Sequence, residues 1–220
     1  MKKNKKKVVR KVKASKFRNK KSTIKYQRSL KINPSVSSLA LLPNKDLNLA
    51  ANALQIGEPK ESLSLSLKVL KDNPTDTEAL NLAGMAAFQL GDTNEAISLL
   101  ETAVSFRPDF SDAYNNLGNI YKTIDKFENA ENAYQSAISF SPESADAEFN
   151  LGILYESKGL FREAELSYLR CIKLSPGMAS ANFNLGNIFQ ALGRLQESEI
   201  AYKRALNIEP SNSEFLNNMG

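Results

Sequence analysis

The chain has 220 residues, a formal net charge of +5, one cysteine (Cys171) and no histidine. A lone cysteine excludes an internal disulfide and a cysteine-rich metal centre, and without histidine the usual Ser/His, Cys/His and zinc constellations cannot form. No apolar run approaches the roughly 18 residues a membrane span needs, and the basic N-terminus is not followed by the apolar segment of a secretory signal. These exclusions lead us to expect a cytoplasmic protein that is not an enzyme, with no metal and no cofactor.

Charge divides the chain. Residues 1–31 carry fifteen Lys or Arg and no Asp or Glu, which leaves 14 basic residues against all 24 acidic ones from Lys45 onward. The first segment is therefore about +15 and the rest about −10. A run so poor in apolar residues and so rich in like charges cannot bury enough surface to offset the entropy of ordering, so residues 1–31 are expected to be a disordered polybasic tail. Such a tail suits nucleic acid or an anionic membrane surface, with Phe17 and Tyr26 as stacking or insertion groups, or serves only to solubilise the chain. Residues 32–42 read as a linker.

From residue 43 the chain is periodic. Gly84, Gly118, Gly152, Gly186 and Gly220 are 34 residues apart, and so are Pro74, Pro108, Pro142, Pro176 and Pro210. Two combs locked in phase signal stacked helical repeats. Residues 43–76 form a degenerate first repeat, with one apolar helical face at Leu49, Ala50, Ala53 and Leu54 and a second at Leu63, Leu67 and Leu70. The alternating Ser and Leu of residues 62–67 would suggest a strand if taken alone, but the period assigns them to a helix.

Residues 77–110, 111–144, 145–178 and 179–212 are four full copies. Each reads as an amphipathic helix A of about 13 residues, a turn at Gly91, Asp125, Gly159 or Gly193, and a helix B closed by the proline, which lacks a backbone donor. Thr75 with Glu78, and Ser211 with Glu214, have capping-box spacing. The glycine column pairs with the small residues Ala96, Ala130, Ala164 and Ser198 on helix B, letting the two backbones approach closely. Bulk comes from Leu117, Leu151 and Leu185, from Tyr121, Tyr155 and Phe189, and from Tyr134, Tyr168 and Tyr202. Cys171 falls in a column of alanines and reads as a small core residue. Residues 213–220 begin a sixth repeat and end at its glycine with no capping helix, from which a longer parent chain is expected.

These marker residues, the small pair, the aromatics and the closing proline, resemble tetratricopeptide repeats over 77–212 and more weakly over 43–76. The resemblance implies an all-α, right-handed α-solenoid of stacked antiparallel helix pairs whose helices A line a concave groove. On that groove Asn116, Asn150, Asn184 and Asn218 would form a row, with Asn48 as an outlier. The row is similar to the asparagine ladder in the repeats of O-linked N-acetylglucosamine transferases. Each amide carries a donor and an acceptor for the backbone of an extended peptide. Asn119 and Asn187 would extend the polar surface, and Phe149, Ile153 and Phe183 would offer apolar anchors. Glu78, Asp112, Asp146 and Glu214 begin successive helices A, where the helix dipole favours acidic residues, and would select a basic ligand.

A scaffold that binds a protein or peptide, with basic ligands favoured, and no small-molecule substrate is the function these features imply. The Lys and Arg that some members of the family use to grip a C-terminal carboxylate are absent from the matching columns. Two alternatives stand beside this reading: a substrate-recruiting, non-catalytic front end of a larger glycosyltransferase-like enzyme, and a scaffold tethered to nucleic acid or anionic membrane through residues 1–31.

Overall fold

The computed structural model describes residues 44–213 and Phe215. The basic tail, the linker, Glu214, Asn218 and Gly220 lie outside the described residues. Ten α-helices and no strand occur among the described residues: α1 (Lys45–Gln55), α2 (Pro59–Asp72), α3 (Thr77–Gln89), α4 (Thr93–Phe106), α5 (Ser111–Thr123), α6 (Phe127–Phe140), α7 (Ala145–Ser157), α8 (Phe161–Leu174), α9 (Ala179–Ala191) and α10 (Leu195–Ile208). None is long and apolar enough to cross a membrane. The chain divides into two compact units between Ile124 and Asp125, so that α1–α5 belong to the first and α6–α10 to the second. Within each, consecutive helices pack as pairs and the pairs stack. The fold class is an all-α solenoid.

Local chemistry sets the helix ends. Gly57, Gly91, Gly159 and Gly193 adopt positive φ, and Asp125 takes the same left-handed position with φ 59°. After α3 this geometry lets the Gly91 and Asp92 amides return to the carbonyls of Phe88 and Ala87, both at 2.9 Å, closing carbonyls the helix leaves open. Helices α4, α6, α8 and α10 stop one residue before the residue preceding a proline.

Two sequence expectations are corrected here. Thr75 does not cap α3: the helix begins one residue later than a Thr75 cap would require. Asp76 therefore accepts from the Ala79 amide at 2.9 Å, while Thr75 donates to Asn73 at 3.1 Å. In the corresponding place after α10, the Asn212 side chain faces the Phe215 amide at 3.5 Å. Leu49 is exposed, because the buried stripe of α1 runs through Leu47, Ala50, Ala51 and Leu54 and places Leu49 on the opposite side. The Ser/Leu alternation is helical, as the period requires.

The glycine column has a more specific role than contact with a small partner. A Cβ on Gly152 would lie 2.6 Å from the Tyr168 ring, and one on Gly186 would lie 2.5 Å from the Tyr202 ring. At Gly84 the neighbours are Leu100 at 2.9 Å and the Ala96 carbonyl at 3.2 Å. The small residues of helix B let the backbones close, as the Ser198 hydroxyl shows by donating to the Gly186 carbonyl at 2.8 Å. The space at the glycine itself is filled by the large side chain one helical turn further along.

Replacing Gly186 by Ala is expected to displace a buried tyrosine ring and cost about 1–3 kcal/mol, measured as lowered thermal and urea midpoints. Asp125→Gly removes a non-glycine residue from the left-handed region and is expected to stabilise by up to about 1 kcal/mol in the same assays. An unchanged midpoint for Gly186→Ala contradicts the packing account.

Candidate peptide-binding face

In the first unit, Asp112 is half-buried in the first turn of α5. Asn116, one turn further on, is completely buried, and its side-chain amide donates to Asn81 Oδ1 on α3 at 2.9 Å. Asn119 is also buried. The sequence expectation that Asn116 offers its amide to a ligand is therefore corrected: a contact between successive helices A uses it. A polar group at full burial needs such a partner; the neighbouring repeat supplies one for the Asn116 NH2 group, while its Oδ1 is buried without one among the described residues.

The second unit holds the other predicted residues. Phe149 on α7 is half-buried, its ring centroid 5.9 Å from that of Tyr168 on α8. The Tyr168 hydroxyl donates to Glu156 Oε2 at 2.6 Å and accepts from the Asn184 side-chain amide at 3.3 Å. One tyrosine thus ties the end of α7 to the middle of α9. Thirty-four residues later only the link within the pair recurs, with the Tyr202 hydroxyl donating to Asn187 Oδ1 at 2.7 Å and lying 3.1 Å from Gln190 Oε1, both on α9. Asn150, Asn184 and Asn187 are half-buried and Asp146 is exposed.

Phe183 does not follow Phe149. It is 5 % exposed, stacked on Phe215 with centroids 4.6 Å apart and tilted against Tyr202 at 5.5 Å. Its expected role as a ligand anchor is corrected, because Phe215 covers it. Ile153 is half-buried like Phe149, and both pack against the core of the second unit.

Sequence reasoning missed Glu148 and the Tyr168–Glu156 and Tyr202–Gln190 pairs. The pairs had a legible signal, since Glu156 and Gln190 are 34 residues apart like the tyrosines they meet. Glu148 had none, because its column holds Leu80, Tyr114 and Asn182 in the other full repeats. It is 3 % exposed, with Arg170 3.7 Å away across the α7–α8 pair. Burial raises its carboxyl pKa, and Arg170 opposes that shift. Burial likewise raises the Tyr168 hydroxyl, helped by its bond to Glu156, and raises the Cys171 thiol to about 12. Cys171 is a buried core thiol, with Sγ 3.3 Å from Met178 Sδ.

Helix pairs of fixed period, a glycine against a helix B residue and a closing proline define a helical-repeat protein. Tetratricopeptide repeat profiles match residues 84–125, 111–144, 145–178 and 179–212, running without a gap over more than half of the chain. The chain belongs to the tetratricopeptide repeat family, a family of protein-interaction scaffolds. No curated protein sequence matches it. Among solved structures, a crystal structure of MamA is 28% identical with a TM-score of 0.64, over 76% of this chain and 97% of that one. The thermophilic repeat protein TTC0263 of Thermus thermophilus gives 24% identity and a TM-score of 0.66, over 79% and 95%. YrrB, described as a repeat protein with an unusual peptide-binding site, gives 20% and 0.61, over 79% and 89%. The last two similarities concern the fold.

A carboxylate whose pKa is raised in the folded state lowers stability above that pKa and ceases to do so as pH falls and it protonates. Glu148→Gln is therefore expected to raise the thermal midpoint at pH 7, with the advantage over the parent shrinking as pH is lowered through the carboxyl range. Thermal unfolding of both proteins across that range checks this; a variant less stable at pH 7 contradicts it.

Proposed function

We propose that the chain binds an extended peptide segment across the helix A face of its second unit, on α7 and α9. The observation that supports this reading is the partial accessibility of Phe149, Asn150, Asn184 and Asn187, on helices whose remaining central residues are mostly buried. An accessible ring provides an apolar anchor, and the amides provide donors and acceptors for a peptide backbone. Tyr168 and Tyr202 hold Asn184 and Asn187 by one group each, which leaves the other amide functions for a ligand and fixes their direction. The exposed Asp146 carboxylate favours a ligand with a basic residue near its end. The peptide-binding site of YrrB, a protein of the same fold, is in keeping with this assignment.

The test is selection of peptides from a random library on the full chain, followed by fluorescence anisotropy with the enriched sequences. Combined Phe149→Ala, Asn150→Ala and Asn184→Ala is expected to weaken binding at least about tenfold, the loss of roughly 1.4 kcal/mol or more, with helicity retained. Asn116→Ala is expected to lower stability while leaving affinity within about twofold. Affinity unchanged by the triple replacement rejects the site.

The division of charge favours a second activity: residues 1–31, with fifteen positive charges and no negative ones, tether the scaffold to a polyanion. Binding to single-stranded RNA or to anionic vesicles is then expected to fall steeply with salt and to vanish in a chain that begins at residue 32. Binding retained after that truncation rejects the tether.

A further inference from the structure

The outward side of the second unit carries a feature that the peptide-binding reading does not use. Helices α8 and α10 present the same triplet in the same columns: Glu163, Leu166 and Arg170 on α8, Glu197, Ile200 and Arg204 on α10. Members of each triplet are three and four residues apart and so share one helix face. Leu166 is 55 % exposed and Ile200 51 %, large values for aliphatic side chains in the middle of a helix. All four charged residues are exposed; Arg170 reaches the buried Glu148 only at 3.7 Å, and Glu197 pairs with Arg194 beside its own helix. Beside Leu166 opens a cleft of about 400 Å³, floored by Ile138 on α6 and by Leu151 and Tyr155 on α7. The corresponding columns of α6 hold Asn129, Asn132 and Ser136. The pattern is thus a property of the last two repeats and not of the repeat period.

Each triplet reads negative, apolar, positive along the helix. A stripe of that kind is complementary to itself when reversed. If a second copy approaches with a two-fold axis running across the helices, α8 lies antiparallel on α8 and α10 antiparallel on α10. Glu163 then faces Arg170 of the second copy, Glu197 faces Arg204 of the second copy, and both aliphatic residues fall close to the axis, since 166 and 200 are near the midpoints of 163–170 and 197–204. The same register satisfies both helices at once. A two-fold axis along the helices would instead place Glu against Glu and Arg against Arg, which costs affinity. An apolar centre between opposed charges that exchange across a two-fold axis is the signature of an isologous contact.

We infer that this face is a homodimer interface, in which the α8 and α10 stripes of two chains pair antiparallel and Leu166 of each copy enters the cleft of the other. The contact leaves the helix A face of the second unit outside the interface, so each dimer offers two peptide sites.

Equilibrium sedimentation of the full chain tests this. At about 100 µM, a concentration at which a weak contact is populated, the parent is expected to have twice the chain mass. Glu163→Arg with Glu197→Arg makes both stripes wholly positive, and Arg170→Glu with Arg204→Glu makes both wholly negative. Each double variant alone is expected to be monomeric, and an equimolar mixture of the two is expected to recover the doubled mass. Leu166→Ser with Ile200→Ser touches only exposed positions and is expected to weaken dimerisation at least about tenfold. This pair decides the matter if circular dichroism shows a charge variant to be unfolded. A monomeric parent, an apolar double variant as dimeric as the parent, or a mixture of folded charge variants that stays monomeric would overturn the inference.

Discussion

The second unit depends on one close approach, the backbone of Gly152 or Gly186 against the ring of Tyr168 or Tyr202. Any side chain at the glycine would collide with that ring, so the helices of a pair can pack at this distance only if one partner has no Cβ. The ring is completely buried at Tyr168, yet its hydroxyl emerges at the edge of the pair and needs partners. It finds Glu156 on its own pair and Asn184 on the next. A packing requirement is thereby converted into a polar link between successive repeats. The same side chain that excludes water from the core holds an amide of the proposed peptide site in a fixed direction.

That coupling explains which features were legible beforehand. Helix lengths, turns and pair order follow from nearest-neighbour rules repeated every 34 residues, and a repeat read several times corrects its own ambiguities. Residues 62–67 alternate like a strand, and Asp125 stands where glycine is usual, yet both adopt the local structure their columns demand. Less was visible where the deciding contact is not local. Asn116 and Asn150 occupy one column, but Asn116 is sealed against Asn81 while Asn150 remains half-accessible, a difference no residue type announces, since Asn115 stands one period after Asn81. Phe183 is lost as an anchor through Phe215, which lies in the next repeat of the sequence. At the start of α3 the error was of a single residue: Asp76 and Thr75 are both good caps, and only the helix start decides between them.

The division of roles among faces follows from the same geometry. Columns that pack within a pair carry no information about a partner, whereas columns whose side chains stay accessible can. On the helix A side these are Asp146, Phe149 and the asparagines; on the outward side they are the charged and aliphatic stripes of α8 and α10. Family membership accounts for the first set of columns and is silent on the second.

The central claim is that the α7 and α9 face receives a peptide, and the most direct measurement is two-dimensional NMR of the full chain titrated with a selected peptide. The side-chain amide signals of Asn150, Asn184 and Asn187 and the ring signals of Phe149 are expected to shift together and saturate at one stoichiometry, with Asn116 unaffected. Shifts confined to α8 and α10, or to residues 1–31, with the α7 and α9 amides unmoved, would contradict it.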